Sequence, residues 1–179
     1  IGYASLIGLA YAFKWVWSPL LDQWRLPLLG KLGRRRSWLV LAQTLVILGL
    51  IGMGFCDPQK HLSWLIAIAV IVAFASATQD IAVDAYRLEI ADDSRQAALA
   101  ASYMSGYRIA ALLATAGALF FAEGFGSTGF NYKHSAWTGT YVLFGVLMIP
   151  ALLTTFFMRE PDVPLRTQLQ ACLLYTSDA

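Results

Sequence analysis

Long apolar runs separated by short polar segments organise this chain. An α-helix rises 1.5 Å per residue, so crossing roughly 30 Å of hydrocarbon takes about 20 mostly apolar residues. Five stretches meet that requirement, at about 1–21, 38–55, 62–86, 97–122 and 136–157. A β-barrel would instead show alternating segments of about ten residues. The pattern predicts an all-α polytopic membrane protein with five transmembrane helices. Trp24, Trp38, Trp64 and Trp137 lie near the edges of these stretches, where amphipathic rings anchor at the interface. The segments at 57–61 and 123–135 read as turns, the second carrying Gly124, Gly126, Ser127 and Gly129.

Composition agrees with the pattern. The chain is 58% hydrophobic and 13% charged, against about 25% charged in soluble domains, and its mean hydropathy is +0.59. No segment between the runs is long enough to be a soluble domain. Cys56 and Cys172 are the two cysteines and have no metal-ligand spacing, so neither a zinc site nor a disulfide framework is expected. His61 and His134 fall in separate loops with no acidic motif beside them. That argues against a membrane-embedded acyltransferase or phosphatase, and no cofactor, metal or nucleic-acid partner is expected. The chain opens at Ile1 inside an apolar run, which predicts a missing upstream part. Residues 172–179 resemble the translated read-through of a sequencing adaptor and are set apart from the membrane unit, 1–171.

The basic residues give an orientation. Arg25, Lys31, Arg34, Arg35, Arg36, Arg87, Arg95, Arg159 and Arg166 fall on one side of the expected membrane; Lys60 and Lys133 fall on the other. The positive-inside rule predicts that the first side, with loops 22–37 and 87–96, is cytoplasmic.

Charges inside the spans carry the functional signal, because each is costly in hydrocarbon unless it faces protein or water. The 38–55 and 136–157 spans have none, which suits them to face lipid. Lys14, the pair Asp80 and Asp84, and Arg108 lie in the other three. At 1.5 Å per residue they sit roughly 10 Å (Lys14), 9 Å (Asp80) and 16 Å (Arg108) from the cytoplasmic ends of their helices. Four residues apart, Asp80 and Asp84 share a helix face. Gln79 and Tyr107 neighbour Asp80 and Arg108. Such a set can bind a polar solute or relay a proton; a structural pairing between helices accounts for it too.

The segment from Asp22 to Arg36 ends one span with an acid and begins the next with Gly33, Arg34, Arg35 and Arg36. It resembles the signature loop of the major facilitator superfamily, although more residues separate the acid from the glycine than in the usual pattern. In that family the loop engages neighbouring helix ends and gates the cytoplasmic opening. Carboxylates favour helix N-terminal amides and arginines favour C-terminal carbonyls. The arginines alternatively serve topology and anionic headgroups.

Taken together, Trp17–Asp22, Gly33–Arg36, Ser76–Ile81, Asp84–Ala85, Gly106–Arg108 and Glu160–Pro161 resemble the AmpG muropeptide permeases of that superfamily. The resemblance implies helices two to six of a twelve-helix transporter, in the bacterial inner (cytoplasmic) membrane. It implies proton-driven import of anhydromuropeptides, which are N-acetylglucosaminyl-1,6-anhydromuramic acid with or without a stem peptide, for peptidoglycan recycling. The implied partners are the sugar-peptide, protons, the bilayer and the second half of the transporter. Asp80, Asp84, Gln79, Arg108, Tyr107 and Lys14 are the pathway candidates; Asp22, Gly33, Arg34, Arg35 and Arg36 are the gating-loop candidates. The rival readings are an acetyl-coenzyme A or other organic-solute transporter of the same superfamily, and a non-transporting receptor or scaffold. A pyrophosphate cargo would want more cations in the pathway than Lys14 and Arg108.

Overall fold

A computed structural model describes residues 8, 11–24, 26 and 32–161. The start of the first expected span, Arg25, Lys31, Arg166 and the 172–179 tail lie outside the described residues. Among those described, helices dominate: α1 (Lys14–Gln23), α2 (Arg34–Phe55), α3 (Leu62–Ile90), α4 (Asp93–Gly124), α5 (His134–Leu147) and α6 (Ile149–Phe157). Among the described residues, four helical stretches are long and apolar enough to cross a membrane: Arg34–Phe55, Leu62–Ile90, Ser94–Gly124 and His134–Phe157.

Three of the helices overrun their apolar stretches. α2 starts four residues before Trp38, α3 continues to Ile90, and α4 begins at Asp93. Hydropathy marks where hydrocarbon ends, whereas the backbone ladder continues into water as long as its hydrogen bonds are satisfied. The last span is interrupted at Met148, between α5 and α6. Pro150, at the start of α6, has no N–H for the ladder and its ring crowds the carbonyl four residues back. Met148 N–H is shared between the Phe144 and Gly145 carbonyls, and the ladder resumes with Leu152 N–H on Met148 O at 3.1 Å.

The two charge-free spans pack on each other, and the first of them also packs on α3. α2 lies against α3, α5 and α6, while α4 leans on α5 and touches α3 only lightly. Small residues permit the close approach that membrane helices need when lipid supplies no hydrophobic drive. A Cβ at Gly145 would stand 3.1 Å from Ile51 Cγ1 on α2, and a Cβ at Gly49 would run into Val72 on α3. Ala73, Ala75 and Ala77 are buried on α3. A buried polar contact joins the charge-free spans where Thr155 Oγ1 donates to Gln43 Oε1 at 2.9 Å. An apolar cluster of Leu21, Leu39, Ile81 and Ala82, flanked by Trp17, Trp38 and Met158, joins α1, α2 and α3 at the end where the arginines lie. Large apolar side chains elsewhere, such as Leu112, Leu113, Phe120 and Phe157, stand exposed, as expected of surfaces that meet lipid or further helices.

Candidate functional site

At the start of α2, three successive arginines reach three different helix ends. Gly33 precedes them with φ 104°, a left-handed conformation that disfavours a side chain. Space requires glycine as well, since a Cβ there would stand 2.6 Å from Glu160 Cγ. The Glu160 carboxylate accepts from Arg35 N–H at 2.7 Å and Arg36 N–H at 3.2 Å, placing an anion on the positive end of the α2 dipole. In the other direction, Arg36 donates to the Thr155 carbonyl at 3.1 Å and to the Phe156 carbonyl, covering the end of α6. Arg34 donates to the Asp22 carbonyl at 2.9 Å and so covers the end of α1. Tyr86 O–H on α3 adds a bond to the Arg159 carbonyl at 3.0 Å.

Arg35 is the centre of this cluster and is almost fully buried. Its guanidinium donates to Glu89 at 2.5 Å and to Asp22 Oδ1 at 2.6 Å, with further Nε contacts to both Glu89 oxygens at 3.1 and 3.2 Å. Arg34 shares Glu89 at 3.2 Å. A buried guanidinium is tolerated only with this density of acceptors. The cluster therefore ties α1 (Asp22), α2 (Arg34–Arg36), α3 (Glu89) and the segment after α6 (Glu160) into one polar knot. Asp22, Gly33, Arg34, Arg35 and Arg36 all fall in it. Sequence reasoning missed Glu89, which reads as an ordinary interfacial acid just past the third apolar stretch. Glu160 stood out only as part of the family resemblance.

The second group lies on the side formed by α1, α3 and α4. Asp80 sits within electrostatic range of Lys14 on α1 and of Asp84 on its own helix. Asp84 pairs with Arg87 at 3.6 Å, one turn on, and the Arg87 guanidinium stands 5.5 Å above the Tyr103 ring on α4. Tyr103 also lies in the field of Asp80, Asp84 and Tyr107. From the α1 side, Tyr11 donates to Ser76 Oγ at 2.7 Å and lies in the field of Asp80 and Tyr107. Lys14, Asp80, Asp84 and Tyr107 are thus brought to one region. Gln79 is half-buried beside Asp80. Arg108 stands apart: it is exposed on α4, and no hydrogen bond or ion pair to it occurs among the described residues. Tyr11, Ser76, Tyr103 and Arg87 join the group without having been singled out in the sequence. Tyr103 was findable, being four residues before Tyr107 and so on the same face.

A cleft of about 460 Å³ between α1 and α3 adjoins both groups, lined among others by Lys14, Ser18 and Asp84 from the polar face and by Asp22, Arg35 and Glu89 from the knot.

Membrane-length helices, with ionisable residues gathered on one face and a buried charge knot at one end, define a multi-pass α-helical membrane protein. The chain belongs to the Major Facilitator Superfamily, whose family model matches residues 3–171. It is 38% identical to the anhydromuropeptide permease of Escherichia coli strain K12 over 161 residues, which is 90% of this chain and 30% of that protein. It is 36% identical to the putative transporter AmpG 4 of Rickettsia felis over 159 residues, 89% of this chain and 36% of the relative. The chain therefore spans about a third of the length of these relatives.

Proposed function

We propose that the chain is part of a proton-driven importer of anhydromuropeptides in the bacterial inner membrane, with loops 22–37 and 87–96 in the cytoplasm. The observation that carries this reading is the gathering of Tyr11, Lys14, Asp80, Asp84, Tyr103 and Tyr107 from three helices onto one face. Similarity to an anhydromuropeptide permease supports the cargo. Sugar hydroxyls need both donors and acceptors. Asp80 and Gln79 accept, the tyrosine hydroxyls do both, and the rings offer flat apolar faces to a pyranose. A lactyl or peptide carboxylate would be met by Lys14, or by Arg108 once substrate is present. Asp80 or Asp84, four residues apart on one helix face, would carry the coupling proton.

The arginine knot acts in this reading as the cytoplasmic latch. It fastens the ends of α1, α2, α3 and α6 while the pathway is open to the other side, and parts of it must separate for release inward.

The test is complementation. Bacteria that lack their own muropeptide permease, supplied with the whole protein, should retain cell-wall turnover sugars that otherwise escape into the medium. Continued loss of those sugars, with the protein verified in the membrane, would remove the cargo assignment and leave an organic-solute transporter of the same superfamily.

A further inference from the structure

Two carboxylates share one face of α3, and their counter-charges are placed differently. Asp84 has Arg87 one turn further along the same helix, with Nη2 and Oδ1 3.6 Å apart. Asp80 has no hydrogen bond or ion pair among the described residues, and the cation that acts on it is Lys14, on α1.

Arg87 is not an ordinary surface arginine. Its side chain is only 24% exposed, and its Nε–H is buried with no hydrogen-bond partner among the described residues. The guanidinium lies over the Tyr103 ring, so a neighbouring helix fixes its place as well as Asp84 does. Gln96, two turns before Tyr103 and so on the same face of α4, covers the end of α3. Its Nε2 donates to the Ala91 carbonyl at 2.9 Å and to the Arg87 carbonyl at 3.4 Å. A guanidinium has five N–H donors, and Asp84 is the one acidic partner of Arg87 among the described ion pairs. Neutralising Asp84 would leave a mostly buried cation without that acceptor, which is costly.

Asp80 is placed the other way. Around it stand Lys14 and Tyr11 from α1, Asp84 from its own helix and Tyr103 from α4, with Tyr107 in the field of both tyrosines. Asp22, Arg35 and Glu89, which share the cleft with Asp84, are bonded to one another through Arg35. Two neighbouring carboxylates oppose each other's charge, and a proton on either relieves it. On Asp84 that proton would break an ion pair; on Asp80 it gives up only the field of Lys14. The counter-charges also differ in what carries them. Asp84 and Arg87 belong to one helix and move together. Lys14 acts on Asp80 across the boundary between α1 and α3, which pack on each other far more lightly than α2 and α3 do. The charge beside Asp80 therefore changes whenever α1 shifts against α3. A coupled carrier needs a group whose hold on a proton differs between its two states, and a counter-charge on a second helix provides that difference.

We propose that Arg87 is a positioning residue that serves Asp84 as a permanent counter-ion, so that Asp80 is the carboxyl that carries the coupling proton. On the proton-driven import proposed above, on which this assignment rests, the Asp80 carboxylate binds a proton from the outer side and gives it up to the cytoplasm with the cargo.

The whole protein and its variants are reconstituted in liposomes, and two rates are measured with labelled N-acetylglucosaminyl-1,6-anhydromuramic acid. One is uptake driven by a proton gradient; the other is exchange against unlabelled sugar with the gradient collapsed by a protonophore. Their ratio reports coupling, and a loss of folded protein does not move it because both rates scale with the amount inserted. Asp80→Asn should lower the ratio by at least about tenfold. Asp84→Asn and Arg87→Gln each strand one charge and should each slow both processes by about fivefold. Combined in one protein they remove the pair together, and should recover most of that loss with a ratio within about twofold of the unsubstituted protein's. A double variant that fails to recover, or that recovers exchange without coupling, would overturn the proposal. So would coupled uptake by Asp80→Asn, or full activity in both single variants. No uptake by the unsubstituted protein would instead overturn the proposed function, and this assignment with it.

Discussion

The arginine knot and the polar face of α1, α3 and α4 hold comparable numbers of ionisable groups, yet they are built in opposite ways. In the knot, Arg35 is buried and meets acceptors from two helices, while Glu160 and Arg36 cover opposite helix ends on either side of it. Across the face, Asp84 has a long ion pair to Arg87, Asp80 senses Lys14 without a bond to it, and Tyr107 is exposed. A group already saturated with protein partners has little left for a ligand. Loosely partnered groups can exchange one partner for another at small cost, which a site that binds and releases a solute must do. The proposed function rests on that difference, with holding in the first region and binding in the second, although one cleft adjoins both.

Substitutions can separate the two roles. The largest effect is expected from Arg35→Ala, which removes the buried guanidinium that joins Glu89 to Asp22 and leaves Arg34 alone on Glu89 among the described ion pairs. Breaking one partner of a buried pair costs about 3–5 kcal/mol, and thermal unfolding of the detergent-purified whole protein should drop accordingly. Asp80→Asn should behave in reverse. Uptake should fall by at least about tenfold, equivalent to roughly 1.4 kcal/mol, while the unfolding midpoint stays put. If Asp80→Asn unfolds the protein instead, the carboxylate is structural and the comparison fails. Glu160→Ala removes the anion from the α2 amides and should cost about 0.5–2 kcal/mol, the range of a lost N-terminal cap. Tyr11→Phe deletes only the bond to Ser76 and should cost about 1 kcal/mol or less. The smallest stability change is expected from Arg108→Gln, within about 0.5 kcal/mol for an exposed side chain away from packing features. Its effect on uptake decides whether that arginine meets substrate.

Much of the fold was legible because membrane spans advertise themselves. Hydrocarbon thickness fixes their length, and four of the expected stretches are crossed by long apolar helices. For the first, the described helix is α1 alone, since the stretch before it lies largely outside the described residues. Less visible was the break at Met148, although Pro150 was there to be read as its cause. In the knot, the clustering of Gly33 with three arginines was legible in the sequence. Glu89 was not, because its role depends on α3 running on beyond its apolar stretch to bring the carboxylate beside Arg35. The polar face was half legible: spacing placed Asp80 and Asp84 together, but spacing within one helix says nothing of which tyrosines a neighbouring helix presents. For the same reason Arg108 looked central by depth alone, whereas the structure leaves it exposed on α4.

The proposed function makes the loosely partnered face the pathway of a proton-driven importer of anhydromuropeptides. The most direct measurement is uptake of labelled N-acetylglucosaminyl-1,6-anhydromuramic acid by cells whose only muropeptide permease is the whole protein, with and without a protonophore. On the proposed function, uptake is abolished by a protonophore and reduced to background by Asp80→Asn. Uptake at full rate with the proton gradient collapsed, or undiminished in Asp80→Asn, would contradict it.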